Sequence, residues 1–320
     1  MTVRASGAIS QMAAGDITTT AGTIDVESTG GTITMDDGAV AQTGGGSIRY
    51  KASGDITVGM LDARTSTNRT NGLLTGQAAS WGQVSILSGA SILDNAETTV
   101  DVYARELRIN ATTATGAATN HLETETDKVS ASSGANGLFM VEATAVTVGQ
   151  TAAVTVQRVG RDGATLTPTT DAIQNDFVSA GALVLQTTAG SITTLSTGAI
   201  SAAGNMLVQA QGTSADINLG AAVSNSSGNI SLNAARDVLQ NADVTASGAA
   251  KTIDILAGRA VTMAEGTSTA SNSGNIRIQS STTGNITIGV IDARTTSDRS
   301  GGTLTDQSTW GAISLVSNAS

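Results

Sequence analysis

The residues best suited to chemistry are an aspartate and an arginine two positions apart, and the sequence contains this pair twice. Asp62 and Arg64 recur as Asp292 and Arg294, 230 residues later. Side chains at positions i and i+2 of a strand point to the same side. Enzymes that act on acidic polysaccharides place carboxylates beside Arg or Lys in this way. We favour a simpler interpretation, a surface ion pair at the mouth of a loop, because a pair present in each repeat suits a structural role.

Two tryptophans occupy equivalent positions in the same part of the repeat. Trp81 and Trp310 each end a polar segment, 64–82 and 294–311, just before an apolar strand. An exposed Trp could stack on a carbohydrate or contact a protein. We favour the alternative that it anchors the loop to the fold, because few other large apolar residues are available. The candidate contact surface is therefore formed by Trp81, Trp310, Asp62, Arg64, Asp292 and Arg294.

Metal and nucleophilic chemistry have little support in the sequence. Asp36-Asp37-Gly38 partly resembles an acidic calcium turn, but the spacing does not match and its copy, Ala264-Glu265-Gly266, keeps one acid. The sequence has no Gly-x-Ser-x-Gly motif and no Cys, and His121, which we expect in an exposed loop, is its one imidazole. A nucleophile elbow and a His/Cys metal cage are therefore excluded within one chain. We predict no cofactor, with calcium as the remaining option.

The chain repeats itself over a long distance. Asp55 through Arg64 returns as Asn285 through Arg294, and the segment from Trp81 to Ile86 returns at 310–315. Such copying is typical of arrays, stalks and filaments. We predict one repeat unit over residues 1–221 and the beginning of the next over 222–320. Both ends interrupt the pattern, so we expect the 320 residues to be an excerpt of a longer protein.

A shorter period lies inside the long one. Pairs of apolar residues separated by one residue recur every 23 or 24 positions, at Leu183/Leu185, Met206/Val208, Ile230/Leu232, Ile253/Ile255 and Ile276/Ile278. Alternation at period two indicates a strand with one buried face. Gly-Asn steps precede several of these strands and suit sharp corners. The pattern predicts an all-β fold, a parallel right-handed β-helix or β-solenoid with coils of about 23–24 residues.

Three segments interrupt the short period. Residues 64–82 and their copy 294–311 are predicted to leave the solenoid as loops, and residues 160–180 as another excursion. Residues 110–136, rich in Ala, Thr, Gly and Ser, are predicted to form a short helix or an irregular coil. About eight coils remain in each repeat, which at ~4.8 Å per strand gives roughly 40 Å.

The composition limits the function classes. Aromatic residues are 2% and charged residues 13% of the chain, while 39% of residues are hydrophobic, enough to bury a narrow core. A net charge of −10 repels phosphate, so we predict no nucleic-acid partner.

Several segments together resemble a known family. They are Leu122–Thr124, Ser132–Met140, Val156–Val159 with Asp162-Gly163, Thr170–Ala172, Gly181–Leu185 and Gly190–Thr193. The sequence of these segments is similar to that of the giant repetitive surface proteins of bacteria related to filamentous haemagglutinins. The resemblance implies a β-helical adhesin or fibre that is secreted or displayed on the bacterial surface, with no catalytic residues.

The resulting expectation is a structural or adhesive extracellular fibre segment. Its partners would be copies of itself, through stacked repeats and lateral or end-to-end assembly, and a surface glycan or protein receptor. The alternatives are a polysaccharide-binding or polysaccharide-degrading β-helix and a stalk that delivers a cargo.

Overall fold

The structure is a computed structural model that describes residues 1–72, 78–95, 98–281 and 284–318. Across these residues, parallel strands stack as a β-solenoid of about 12 turns. The predicted fold class is therefore confirmed. Among the described residues, no helix is long and apolar enough to span a bilayer.

The chain divides into two compact units. The first contains residues 1–144 and 150–175, and the second contains 145–149 and 176–320. This division reflects contacts in space, whereas the predicted boundary at 221/222 concerns the sequence repeat and stays a prediction. The strands of the first unit are β1 Thr2–Ala5, β2 Ile9–Gln11, β3 Ile17–Thr18, β4 Ile24–Ser28, β5 Ile33–Met35, β6 Val40–Gln42, β7 Ile48–Ala52, β8 Ile56–Val58, β9 Met60–Asp62, β10 Gln83–Ser88, β11 Ser91–Asp94, β12 Val102–Ala111, β13 Ala114–Thr115, β14 Leu122–Ser133, β15 Gly137–Glu142, β17 Val154–Val159 and β18 Leu166–Asp171.

The second unit is built from the remaining strands. They are β16 Val146–Val148, β19 Phe177–Ser179, β20 Leu183–Thr187, β21 Ile192–Thr194, β22 Ile200–Ala202, β23 Met206–Ala210, β24 Ile217–Leu219, β25 Val223–Asn225, β26 Ile230–Ala234, β27 Val238–Gln240, β28 Val244–Ala249, β29 Ile253–Ala257, β30 Val261–Met263, β31 Ser268–Asn272, β32 Ile276–Ser280, β33 Ile286–Thr287, β34 Val290–Asp292 and β35 Ile313–Ser317. Three short helices occur in the described residues: α1 Ser66–Thr70, the 3₁₀ turn Ala78–Ser80 and α2 Thr296–Ser300.

Each unit has three parallel sheets, because every coil contributes one strand to each sheet. In the first unit, the first sheet runs β1-β4-β7-β10-β12-β14 and the second runs β2-β5-β8-β11-β13-β15. The third sheet contains β3, β6, β9, the first residues of β12 and β14, and the last residues of β15. The sheets of the second unit are β20-β23-β26-β29-β32-β35, β16-β21-β24-β27-β30-β33 and β19-β22-β25-β28-β31-β34.

The apolar residues of the short period form the core. Met206 pairs with Ile230, Ile230 with Ile253, and Ile253 with Ile276, so that equivalent side chains stack from coil to coil. All four side chains are buried. The stack explains the apolar period of 23 or 24 residues, since each coil buries its apolar pair against the pairs of the neighbouring coils.

The Gly-Asn corners stack directly on each other. A Cβ atom added to Gly228 would lie 2.2 Å from the carbonyl oxygen of Gly204, so glycine is required here by close backbone approach rather than by positive φ. The neighbouring Asn229 donates its backbone N–H to Oδ1 of Asn205 at 3.0 Å. Asn229 Oδ1 in turn accepts from the backbone N–H of Thr252 at 2.9 Å. The corner is therefore a ladder of amide hydrogen bonds.

The prediction for residues 110–136 is wrong. This stretch belongs to the solenoid, through the end of β12, β13, β14 and the approach to β15. Small residues conceal the pattern, because buried positions of β14 are occupied by threonine and alanine as well as by leucine and valine. Buried hydroxyls there find partners inside the fold, as Thr124 donates to Glu142 at 2.7 Å.

The excursion predicted at 160–180 is present but begins earlier. Strands β17 and β18 form an antiparallel hairpin, with Pro168 opposite Gln157. The hairpin therefore starts at Val154, and the chain returns to a parallel strand at Phe177. His121, expected in an exposed loop, is half-buried and stacks on Phe139, with ring centroids 5.9 Å apart.

Candidate functional site: the repeated loop anchor

We call residues 64–82 the first loop and residues 294–311 the second loop. Residues 73–77 of the first loop lie outside the described residues. Each loop opens with a short helix that has a threonine N-cap. Thr65 Oγ1 accepts the backbone N–H of Asn68 at 3.2 Å, and Thr295 Oγ1 accepts that of Asp298 at 3.0 Å. The two loops therefore begin with the same local structure.

Asp62 is the centre of the first loop's attachment. Arg64 Nη2 lies 2.7 Å from Asp62 Oδ2, and Arg64 Nε lies 3.0 Å from Oδ1. Arg69 Nε donates to Asp62 Oδ2 at 2.8 Å. The predicted ion pair therefore exists, but it is not at the surface, because Asp62 is 1% and Arg64 7% exposed. Arg69 of the loop and the ring of Tyr103 lie against the pair.

The electrostatics of Asp62 follow from these contacts. Burial alone would raise the pKa of Asp62, but hydrogen bonds from Arg64 and Arg69 outweigh burial and hold the pKa below its ordinary value. Both carboxylate oxygens already accept from guanidinium groups. Asp62 is therefore a poor candidate for a general base.

Arg69 adds a second function that the sequence analysis missed. Its Nη2 atom donates to the carbonyl oxygens of Thr43 at 2.7 Å and of Arg64 at 3.1 Å. Thr43 lies just after β6, one coil before the strand that carries Asp62. Arg69 therefore ties the loop to the preceding coil as well as to its own strand.

The second loop repeats this attachment within its own unit. Arg294 Nη2 lies 2.6 Å from Asp292 Oδ2, and Arg299 Nε lies 3.1 Å from the same atom. Arg299 Nη2 donates to the carbonyl oxygens of Ser271 and, at 3.3 Å, of Arg294. The side-chain hydrogen bond from Arg294 prevails over burial and lowers the pKa of Asp292 to about 2.

Trp81 fixes the far end of the first loop. It is 2% exposed, and its Nε1 donates to Asn68 Oδ1 at 2.9 Å. The rings of Trp81 and Tyr103 form a T-shaped pair with their centroids 6.4 Å apart. The guanidinium group of Arg64 stacks on the Tyr103 ring, with Cζ 3.5 Å from the ring centroid. The structure thus gives Trp81 the anchoring position that we favoured, and Trp81 is not an exposed contact residue.

Trp310 makes the corresponding contact in the second loop. Its Nε1 donates to Asp298 Oδ2 at 2.8 Å, and its side chain is half-buried. An aspartate thus replaces the asparagine of the first loop as the acceptor. We use the name loop anchor for the set Asp62, Arg64, Asn68, Arg69 and Trp81 and for the corresponding set Asp292, Arg294, Asp298, Arg299 and Trp310.

The exposed part of the second loop is its tip. Residues 304–309 are exposed, and Leu304 is 88% exposed. An apolar side chain that is open to solvent on a tightly anchored loop is a candidate contact residue. Its counterpart in the repeat, Leu74, lies outside the described residues. The sequence predicted a contact surface at the anchor residues, whereas the exposed residues 304–309 of the second loop belong to its tip.

The hairpin covers a buried charge network that the sequence analysis also missed. Arg49 lies between two carboxylates, with Nη1 2.9 Å from Asp25 Oδ1 and Nε 3.0 Å from Asp171 Oδ2. Arg158 of β17 reaches Asp25 Oδ2 at 2.8 Å and also pairs with Glu27. All three residues of the Asp25–Arg49–Asp171 cluster are buried. These pairs hold the hairpin on the first sheet of its unit.

The turn Asp36-Asp37-Gly38, which the sequence left as a calcium option, is not part of a group of three acids in the described residues. Asp36 is half-buried and Asp37 is exposed, and Gly38 has φ of +81°. Within the described residues, the carboxylates that lie close enough together to share a metal ion belong to other residues, Asp94, Asp101 and Glu123.

The geometry shows two copies of one loop anchor and a docked hairpin, all of which stabilise the solenoid wall. Comparison of the chain with protein-family models, curated proteins and solved structures finds no match. The resemblance to filamentous haemagglutinin-like proteins therefore stays a prediction from the sequence.

Proposed function

We propose that this chain is a segment of a structural or adhesive extracellular fibre that is secreted or displayed on a bacterial surface. The observation that carries the proposal is the loop anchor, which is built twice with the same contacts at an interval of 230 residues. A solenoid with a repeated loop gains a series of equal attachment points as repeats are added. Such a series is useful to a fibre.

The anchor and the tip have different functions in the loop. The anchor holds the loop base with ion pairs and backbone-directed hydrogen bonds, as with Arg299 and the carbonyl of Ser271. The tip keeps Leu304 in solvent. A rigid base lowers the entropy that a loop loses when it binds a partner. We assign partner contact, with a glycan, a receptor or another copy of the chain, to the tips.

A polysaccharide-degrading β-helix is the weaker candidate. It needs a carboxylate that can take or give a proton in a groove. Asp62 is buried and bound to two guanidinium groups, and its pKa is held low by those contacts. The repeated Asp–Arg pair therefore supports a structural role.

Location is tested with antibodies raised against the 320-residue chain. Immunogold electron microscopy of intact producing cells is expected to label material outside the cell envelope. Label that appears only after the cells are permeabilised would contradict the proposal.

The assignment of contact to the tips is tested with surface-immobilised chain. The double variant combines Leu304→Ser, which removes the exposed leucine of the second loop, with Leu74→Ser at the equivalent sequence position of the first repeat. Leu166→Ser, an exposed leucine of the hairpin, is the matched control. Binding of glycans, matrix proteins or soluble chain is expected to fall at least about tenfold in the tip variant, as for a contact residue, and to persist in the control. Equal binding by the parent, the tip variant and the control would contradict the assignment of partner contact to the tips.

A further inference from the structure

Three acidic side chains converge inside the first unit, away from the loop anchor. Asp94 ends β11, Asp101 precedes β12, and Glu123 is the second residue of β14. One carboxylate oxygen from each residue lies within 4.8 Å of the others. Asp94 and Asp101 are buried, and Glu123 is half-buried.

The solenoid itself brings these residues together. The backbone N–H of Asp101 donates to the carbonyl of Glu123 at 3.0 Å, and the backbone N–H of Glu123 donates to Asp101 Oδ2 at 3.0 Å. The backbone of Asp101 also accepts from Leu61 at 2.7 Å. The cluster is therefore held by the contacts of neighbouring coils at the passage from the second sheet to the third.

Asp101 provides an observation that is independent of the clustering. Its side chain is 0% exposed, and its Oδ1 atom has no hydrogen-bond partner among the described residues. Since Oδ2 takes the N–H of Glu123, Oδ1 is the oxygen left for the centre of the cluster. A buried carboxylate oxygen without a donor is costly, and neighbouring carboxylates increase that cost.

The carboxylates of Asp94 and Glu123 lie beside that of Asp101, so their ionised forms repel one another inside the fold. Two groups could relieve the repulsion, a proton on Asp101 or a cation between the carboxylates. A proton serves one pair of oxygens, whereas a cation serves all three carboxylates at the same time. The convergence of three acids favours the cation.

We propose that Asp94, Asp101 and Glu123 form a binding site for a hard divalent cation, Ca²⁺. Calcium binds oxygen ligands at about 2.3–2.6 Å, so that two ligands of one ion lie within roughly 5 Å of each other, as these oxygens do. The ligand set has no nitrogen or sulfur, which zinc usually takes. Magnesium keeps most of its water and needs a smaller, regular octahedron.

The consequence is a metal clamp between coils. Asp94 and Asp101 flank the passage between β11 and β12, and Glu123 comes from the following coil. An ion that binds all three links these segments only in the folded state, so it stabilises the fold by mass action. This site goes beyond the proposed fibre function and does not depend on the loop tips.

The test uses the 320-residue chain after it has been stripped with EDTA and dialysed. Calorimetric titration with CaCl₂ is expected to show one strong site, and millimolar Ca²⁺ is expected to raise the unfolding temperature by several degrees. In Asp101→Asn the affinity is expected to fall about 100-fold, because a charged ligand is lost from a small set. The matched control is Asp36→Asn with Asp37→Asn, which removes acids from the other candidate turn and is expected to bind as the parent does.

A comparison of stability separates a metal ligand from a structural acid. In EDTA, Asp101→Asn is expected to be at least as stable as the parent, because one source of repulsion is gone. In Ca²⁺ the order is expected to reverse. Glu123→Gln, at a half-buried position, gives the same readout if Asp101→Asn does not fold.

Four results would overturn the proposal. They are the absence of both binding heat and a thermal shift at millimolar Ca²⁺, undiminished binding in Asp101→Asn, tighter binding of Mg²⁺ or Zn²⁺ than of Ca²⁺, and a variant that is more stable than the parent with and without Ca²⁺. The last result would show that the cluster holds a proton alone.

Discussion

At the residue scale, the loops depend on side chains that each make several contacts. Arg69 joins a carboxylate and three backbone carbonyls, and Trp81 fills space while donating one hydrogen bond. A buried side chain that pairs with a charge and also donates to backbone carbonyls is costly to remove, because those buried partners then lose hydrogen bonds or their opposite charge.

Trp81→Ala should destabilise the first unit. The side chain is 2% exposed, so its loss leaves a cavity and removes one of the hydrogen bonds to Asn68 Oδ1, at a cost of about 3–5 kcal/mol in the free energy of unfolding. Urea denaturation measures this cost, and proteolysis reports opening of the first loop. Trp310→Ala, at a half-buried position, is the control and should cost less. Equal small effects would mean that neither tryptophan anchors its loop.

Asp292 predicts a dependence of stability on pH. Its folded pKa, about 2, lies below the unfolded value of about 3.9, so its ionised form stabilises the fold above about pH 4 and this stabilisation is lost as the pH falls toward 2. Arg294 and Arg299 face the carboxylate, and Asp298 lies in the same loop.

The measurement is the difference in unfolding free energy between the parent and Asp292→Asn, followed from pH 5 to pH 2. The difference should shrink as the pH falls, because the parent loses the charge that the variant never had. A difference that stays constant would show that the ion pairs of Asp292 contribute nothing that depends on its charge.

The sequence identified three of the five residues of each anchor. Asp62, Arg64 and Trp81 stood out because they recur. The favoured interpretation was a surface ion pair for Asp62 and Arg64 and a loop anchor for Trp81. Arg69 and Asn68 have counterparts in Arg299 and Asp298, but they lie in a polar segment where no apolar periodicity distinguishes them from their neighbours. Burial of the pair was missed because its contacts with Arg69 and Tyr103 leave no periodic signal in the sequence.

At the scale of elements, the hairpin β17–β18 is the addition that most changes its unit. Asp25 and Arg49 occupy outward positions of their strands, yet both are buried because the hairpin covers them. The sequence predicted an excursion here but not its docking, since Asp171 is 122 residues from Arg49 and the pairing is set in three dimensions.

Arg49→Met should loosen the hairpin. The change leaves Asp25 and Asp171 buried beside each other with one cation fewer, at a cost of about 3–5 kcal/mol. The control is Arg277→Met, whose pair with Asp254 is exposed on both sides and is worth about 1 kcal/mol or less.

Urea denaturation gives the two energies, and trypsin cleavage at the exposed Arg161 of the hairpin turn reports undocking. Cleavage should become faster in Arg49→Met and stay unchanged in Arg277→Met. Equal rates in both variants would show that the hairpin is held by other contacts.

At the scale of the whole molecule, the account rests on repetition. The apolar pairs predicted the coils because the core of a solenoid is a stack of equivalent positions, as from Met206 to Ile276. The strands in residues 110–136 were not recognised, since threonine, serine and alanine occupy many of their buried positions and weaken the apolar pattern. A fibre built by adding repeats must place one loop anchor in each.

The most direct test is electron cryomicroscopy of the full-length native protein, imaged on the cell and after release. The account predicts filaments with strands stacked ~4.8 Å apart and an axial repeat of roughly 40 Å, with one loop protruding in each repeat. Compact particles without an axial repeat would contradict the fibre proposal.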